Sequence, residues 1–336
     1  MEVRKPSIDA SIKYLSDRIE TIVRLAKVFE PSSHDVSYKP YTLSKLVAVR
    51  SIASRFLMVA KGEKAISANY DGAIYLDLYA GGGLTVTRGK RGSKLRAVVG
   101  SPFAATVEQE GNREFDMAIF IESNEERARL LKSRVGQMGL QDKFHVIEGN
   151  CNKKIGEAVK LIEEKFEKPL IFALGDQEGM ETDWRTYRYL SSKYLGVDYL
   201  VNISSGSERV YGALKKGNLG YVKAICTSLG KTPEELKEIL DVEMNDLNSK
   251  GTYRSLLNKQ FEDSIGKEKG QAFPIYSRKN TPVYHLGYYT RNTLTGSDWV
   301  KSVNWIAYHL ENVTGQDAET ALNKCFEQQT LKFDTE

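Results

Sequence analysis

The sequence predicts an α/β chain built on a doubly wound, mostly parallel sheet, and three observations predict it. Apolar runs of strand length alternate with segments of helical periodicity through the middle of the chain. Four of those runs stop on a polar residue, which lies at the carboxyl edge where such sheets bind ligands. The first run, Ala73 to Asp77, leads within a few residues into Gly81-Gly82-Gly83, a backbone able to lie close to a ligand because it carries no Cβ.

Taken in order, Ser7 to Phe29 places Ile8, Ile12, Leu15, Ile19, Ile22 and Leu25 three or four apart, the pattern of a helix with one apolar face. Pro31-Ser32-Ser33-His34 breaks it, and a second helix is expected over 42–61, with Leu46, Val47, Ile52, Phe56 and Leu57 inward. Strand one is expected over Ile74 to Leu78 and strand two over Ala118 to Glu122. The helix between them should start at Ser101-Pro102, with Ser101 as its N-cap and Pro102 in the first turn. Ser123 to Gln137, acidic at its start and basic later, suits the helix dipole. Phe144 to Asn150 is a third strand with a turn, Ile155 to Phe166 a helix, and Pro169 to Asp176 a fourth strand. Trp184 to Tyr194 is a helix and Asp198 to Ser204 a fifth strand.

From Thr232 to Lys269 the chain turns charged and helix-forming, as an inserted helical subdomain or lid would. Ala272 to Tyr276 and Val283 to Tyr289 then form a hairpin that completes a seven-stranded sheet, and Ser297-Asp298-Trp299 opens a last helix to about Asn312. This divides the chain into an N-terminal helical extension (1–65), an α/β domain (66–228 and 270–315), a helical insertion (229–269) and a C-terminal tail (316–336).

Composition excludes several classes. With 336 residues, 41% of them hydrophobic, the chain can bury a sizeable core. No apolar run approaches the roughly 18 residues of a membrane span, and the first residues are polar and charged, so a cytoplasmic protein without membrane contact is expected. Cys151, Cys226 and Cys325 stand far apart, with neither a CxxC pair nor histidines at ligand spacing, which argues against disulfides and a structural metal site. A net charge of +4 is too mild to indicate nucleic acid unless the bases cluster.

They do cluster in Arg88, Lys90, Arg91, Lys94 and Arg96, five bases in nine residues with glycines between and no acid. Placed after the first glycine turn, this stretch reads as a loop beside the ligand mouth that can grip phosphates, or as a solvated surface loop. Arg209, Lys215, Lys216, Tyr211 and Tyr221 would add a basic, stacking-capable surface after strand five.

The acids carry the chemistry. Asp77 before the glycines can accept hydrogen bonds from a bound amine or hydroxyl, although the same residues would serve a tight turn after a buried strand. Glu122, ending strand two, is placed to hold ribose hydroxyls. Asn150, ending strand three, would meet an adenine edge or simply make a turn. Asp176 and Glu178 would serve as general base or cap the next helix. No P-loop pattern is present, and the acids after strand four are too few for a metal site.

Asp77-Leu78-Tyr79-Ala80-Gly81-Gly82-Gly83, Ile121-Glu122-Ser123, Glu148-Gly149-Asn150 and the acid-ended fourth strand together resemble motifs one to four of class I S-adenosylmethionine-dependent methyltransferases, a Rossmann-like fold. A narrower set resembles the three-Cys-motif partner family, TcmP, from about Tyr38 to Trp305: Gly100-Ser101-Pro102, the glycine and Trp184 after strand four, and Tyr284 to Asn292 with Gly296 and Trp299. The three cysteines named by that family belong to its partner protein, so a partner of that type is implied. The resemblance implies S-adenosylmethionine as cofactor, with Asp77, Tyr79, Ala80, Gly81 and Gly83 around its methionine end. It further implies Glu122 on the ribose, Ser123 and Asn150 near the adenine, and Asp176 facing the transferred methyl. The resemblance implies little about substrate; with the basic stretch at 88–96, action on nucleic acid or a nucleic-acid-associated component is expected, the alternative being a catalytically inactive partner or nucleic-acid-binding module. Asp176-Gln177-Glu178-Gly179 departs from the Asp-Pro-Pro-aromatic motif of amino-directed enzymes, so their carbonyl cradle is not encoded in its usual form.

Overall fold

The computed structural model describes residues 5–87, 96–246, 251–291 and 297–333. In chain order its elements begin with α1 (Ile8–Ala26), β1 (Val36–Ser37), α2 (Pro40–Ala60), α3 (Glu63–Ser67) and β2 (Gly72–Asp77). β3 (Leu84–Thr87), β4 (Arg96–Val99), α4 (Ser101–Thr106), β5 (Met117–Glu122), α5 (Glu125–Gln137), β6 (Phe144–Glu148) and α6 (Cys151–Glu163) follow. Then come β7 (Pro169–Gly175), α7 (Trp184–Lys193), β8 (Val197–Ser204), α8 (Ser205–Lys215), α9 (Val222–Leu229), α10 (Pro233–Asn245) and α11 (Tyr253–Ile265). The hairpin strands β9 (Glu268–Tyr276) and β10 (Pro282–Thr290) and the helices α12 (Ser297–Glu311) and α13 (Gly315–Phe333) end the chain.

The main sheet has seven strands in the order β6-β5-β2-β7-β8-β10-β9. Pairings from β6 through β8 are parallel, and β10 runs antiparallel to both neighbours. The order reverses at β2, with β5 on one side and β7 on the other, and a crevice for ligands opens at the carboxyl ends beside such a switch point. This is the doubly wound, mostly parallel sheet that the strand pattern predicts, and its seven strands make the Rossmann-like arrangement that the methyltransferase resemblance implies.

Period-two side chains divide the strands between two cores. Tyr75, Phe120, Phe172 and Leu200 face one side, where α1, α2, α4, α5, α12 and α13 pack. Ile74, Leu76, Ile119, Ile121, Ile171 and Tyr199 face the other, under α6, α7, α8, α9 and α11. The first core is aromatic at its centre, with Tyr75 and Phe172 5.8 Å apart and Phe56 of α2 stacked on Phe172 at 5.6 Å.

Several expectations shift. The N-terminal helices form one layer of the main core: thirteen residues of α2 are buried, too many for an appended extension. Residues 316–333, read as a tail, lie in α13, whose Ala318, Ala321, Leu322 and Cys325 are buried. In the region read as a lid, only Leu236 of α10 is buried, whereas α11 sends Tyr253, Leu257 and Phe261 inward. Phe261 stacks on Tyr289 at 3.9 Å and meets Trp184 edge-on at 4.9 Å, so α11 belongs to the second core. Tyr211 is likewise core, buried with its hydroxyl donating to Glu243 at 2.7 Å, and Lys215 pairs with Glu243 at 2.9 Å; neither offers a stacking or phosphate-gripping surface.

The largest difference follows the glycines. The chain does not pass from β2 into a helix; it makes the β3–β4 hairpin, which with β1 forms a separate three-stranded sheet. The helix begins at Ser101 with Gly100 as N-cap, because the Ser101 hydroxyl is spent on the Asp77 carboxylate. Arg88, Lys90, Arg91 and Lys94 lie outside the described residues. Arg96 opens β4, where its guanidinium donates to Asn323 Oδ1 and stands 5.2 Å over the Phe326 ring of α13.

Candidate functional site

The candidate site is built on the ends of β2, β5, β6, β7 and β8. Asp77, at the end of β2, has no exposed surface. Its Oδ1 accepts the Tyr79 backbone N–H at 3.1 Å and its Oδ2 the Tyr75 hydroxyl at 3.1 Å. Burial pushes its carboxyl up to about 7, against the pull of the Ser101, Tyr79 and Tyr75 donors, with the Asp176 charge adding to the rise. Asp77 thus shapes the turn from inside the protein.

The three glycines have different reasons. Gly83, at φ +79°, leaves no room for a Cβ, which would stand 2.5 Å from Phe103 and 2.8 Å from Leu131. A Cβ on Gly82 would meet Asp35 Oδ1 at 3.2 Å. Gly81, at φ +65°, has nothing within 4 Å of that position among the described residues, so of the three it alone faces open space there. Packing therefore excludes a side chain at Gly83 and crowds one at Gly82, whereas at Gly81 the positive φ alone calls for glycine and the space beside it stays open to a ligand.

A buried ion pair braces this turn. Arg134 of α5 donates to both oxygens of Asp35, at 2.6 and 2.8 Å, and to the carbonyls of Gly82 at 2.6 Å and Glu30 at 3.0 Å. Both side chains are almost wholly shielded, and such a bidentate, fully bonded pair fixes geometry strongly. No pattern around position 134 distinguishes that arginine from the surface bases of the same helix, so the sequence could not reveal it.

Glu122 ends β5 with only 7% of its surface exposed. Its Oε2 accepts the Gly81 N–H and its Oε1 the Asn124 N–H, each at 2.8 Å. An ionised carboxylate has about four acceptor positions, so two further donors can still be served. Ser123 beside it is exposed. Asn150 is exposed at the start of α6, where its Oδ1 caps the helix by accepting the Asn152 N–H at 2.9 Å. Ala80 is buried with its N–H on the Ile121 carbonyl at 3.0 Å, and the half-buried Tyr79 hydroxyl is hydrogen-bonded to the Thr182 hydroxyl at 2.8 Å.

Across the switch point, Asp176 follows β7. Its Oδ2 lies 2.5 Å from Lys45 Nζ of α2 and its Oδ1 accepts Asn202 Nδ2 at 3.0 Å. Lys45 also stands 5.9 Å from the Tyr284 ring. Asn202 Nδ2 reaches the Gln177 carbonyl as well, at 3.1 Å, while Asn202 Oδ1 is buried without a partner among the described residues. Gln177 is buried, its Oε1 accepting the Thr182 N–H at 2.9 Å, and Glu178 is exposed. The first carbonyl after Asp176 is thus already engaged by the fold. Lys45 and Asn202 were not singled out from sequence; a lone amide in the apolar run Leu200 to Ile203 was the available signal for Asn202.

Asp77, Gly81 and Glu122 therefore gather on one side of the crevice and Asp176, Asn202 and Lys45 on the other. No family model matches the chain, and no curated protein sequence matches it. Among solved structures, an O-methyltransferase from Bacillus cereus in complex with SAH is 12% identical, at a TM-score of 0.35, with 85% of this chain and 100% of that chain covered. A protein from Legionella pneumophila str. Philadelphia 1 is 11% identical at a TM-score of 0.40, covering 79% and 94%. A geranyl diphosphate methyltransferase in complex with GPP and sinefungin is 12% identical at 0.31, covering 85% and 99%. At these values no ligand or substrate carries over, and the methyltransferase-like fold rests on the chain's own strand order, with its one reversed strand.

Proposed function

We propose that this chain binds S-adenosylmethionine in the cleft at β2 and β5 and acts as a methyltransferase-like protein on nucleic acid or a nucleic-acid-associated component. The single observation that carries the reading is the joining of Glu122 to Gly81: an acid with spare acceptor capacity, bonded to the one glycine of the turn that faces open space. That arrangement suits a ribose held by the carboxylate and a chain lying along the glycine backbone. Tyr79 and Gly81 would line the methionine end, with Asp77, Ala80 and Gly83 shaping the turn behind them. Ser123 and Asn150 would flank the adenine.

When bound, the cofactor supplies an electrophilic methyl group, and the protein's task is to position the acceptor in line with it. Asp176 would be the acid nearest that event, with Glu178 at the entrance. An acceptor that uses Asp176 competes with Lys45 for the same carboxylate oxygen, while Asn202 Oδ1 offers a buried acceptor for one N–H or O–H. Likeness to the TcmP family and a three-Cys-motif partner protein belong to the same proposal. So does a cytoplasmic setting; among the described residues no helix is long and apolar enough to cross a membrane.

Calorimetric titration with S-adenosylmethionine tests the reading. Wild type should bind, and Glu122→Ala should weaken binding at least tenfold. No heat with wild type, or unchanged affinity in the variant, overturns it. A second reading, a catalytically inactive binding module, is favoured by the Gln177 carbonyl being bonded to Asn202 instead of free to cradle an amine. Cofactor binding without transfer of labelled methyl to DNA, RNA or a bound protein would support it.

A further inference from the structure

Beyond the cleft, the helices that cover the second core leave a groove between α6, α7 and α9. It comprises two cavities, of about 910 Å³ and about 620 Å³, which share Asp183, Arg185 and Lys223 in their walls. The larger begins at Asn150, at the carboxyl edge of the sheet, and the smaller ends at Lys231 and Pro233. The groove therefore leads away from the mouth of the proposed cofactor site.

Its charge is one-sided. Lys153, Arg185, Arg188, Lys223 and Lys231 line it against a single acid among the described residues, Asp183. That acid is buried and committed, accepting the Arg185 backbone N–H at 2.9 Å and its guanidinium at 2.5 Å. Lys231 stands 4.0 Å from Glu235, so α10 closes the far end with a carboxylate. Lys153, Arg188 and Lys223 are exposed and make no side-chain ion pair among the described residues.

Flat apolar surface lies among these bases. Tyr189 lines the larger cavity at 38% exposure, and Tyr221 is 40% exposed between two residues that line the smaller one. Leu219, also in that wall, is 72% exposed. Bases that track an anionic chain, with exposed rings between them, are what an unpaired nucleotide chain requires, since its phosphates need cations and its freed bases need a face to stack on. A duplex keeps its bases stacked inside and has no use for the tyrosines.

We propose that this groove is a track for single-stranded nucleic acid, which it guides toward the cleft at Asn150. The inference rests on the nucleic-acid part of the function proposed above and is independent of methyl transfer. It places the contact on a different surface from Arg96, which lies against α13 on the side of the first core.

The test is fluorescence anisotropy of labelled single-stranded RNA and DNA with the full chain across a salt series. Comparison is with Lys153→Ala/Arg188→Ala/Lys223→Ala, with Tyr189→Ala and with alanine at the five bases of 88–96. Wild type should bind, the groove variant should lose at least tenfold, and its salt slope should fall by about 2, three phosphates at about 0.7 each. Tyr189→Ala should lose roughly tenfold. Calorimetric titration with S-adenosylmethionine should give the same result for the groove variant as for wild type, which separates this surface from the cofactor site. Wild-type binding that the groove variant retains overturns the groove and leaves the nucleic-acid reading standing. No binding by wild type overturns the nucleic-acid reading itself. Tighter binding of a polyglutamate peptide than of either oligonucleotide overturns the partner's class in favour of an acidic protein.

Discussion

Asp77 offers the sharpest test of the cleft's electrostatics. Its carboxyl is held at about 7, against an ordinary 3.8, because burial removes it from water faster than Ser101, Tyr79 and Tyr75 compensate. In the unfolded chain the same group ionises near its ordinary value, so between about pH 4 and pH 7 the folded protein keeps a proton that the unfolded chain has lost. Stability from this group is therefore present at low pH and is lost as pH rises through that window. Three pH units at about 1.4 kcal/mol each make the loss about 4 kcal/mol by about pH 8.

Asp77→Asn removes the titration while keeping the shape. The amide oxygen can still accept the Tyr79 N–H, and the Tyr75 and Ser101 hydroxyls can turn to accept from its nitrogen. Urea unfolding of wild type and variant at a series of pH values gives the difference between them. Near pH 4 that difference should be small, and it should grow in the variant's favour to about 4 kcal/mol by about pH 8. A difference that stays flat across the series, or one that favours wild type at the alkaline end, would refute the argument.

Two further predictions concern the brace and the glycines. Arg134→Met strands the buried Asp35 carboxylate and should cost about 3–5 kcal/mol in urea unfolding, much of it recovered when Asp35→Leu is added; equal losses in single and double variants would contradict a stranded charge. Gly83→Ala meets Phe103 and Leu131 at positive φ and should cost at least about 2 kcal/mol, visible as a lowered Tm, whereas Gly81→Ala should cost about 1 kcal/mol. If Gly81 faces the cofactor, the milder variant should be the one that abolishes S-adenosylmethionine binding in a folded protein.

Strand order was legible because each strand is an apolar run bounded by turn residues, and Ile74, Ile119, Ile171 and Tyr199 fall where those runs place them. Helices whose buried face is interrupted by polar groups were harder. Residues 205–215 form α8 and 222–229 form α9, where polar groups and glycines break up the apolar period, and 315–333 form α13, whose buried positions are mostly small residues with weak periodicity. The acids of the cleft could be read from strand ends. Their partners could not: Lys45 reaches Asp176 from 131 residues away and Arg134 reaches Asp35 across 99, and no local pattern encodes such pairings.

The two sides of the crevice are prepared differently, and this constrains what a ligand must do. On the β2 and β5 side, Arg134, Asp35 and Phe103 already hold the glycine turn in the form that leaves Gly81 open and Glu122 with acceptor capacity to spare. The proposed cofactor would meet a turn already held in place, so the cost of ordering it would not be drawn from its affinity. On the β7 and β8 side, Asp176 is occupied by Lys45 and Asn202, and the Gln177 carbonyl by Asn202. An acceptor entering there gains one unpartnered acceptor, Asn202 Oδ1, and must either work around the Lys45 pair or break it. Separating a largely shielded ion pair costs more than an exposed one returns, so the energy for that step must come from acceptor groups bound outside the crevice. The groove that runs from Asn150 along α7 is the surface placed to supply it.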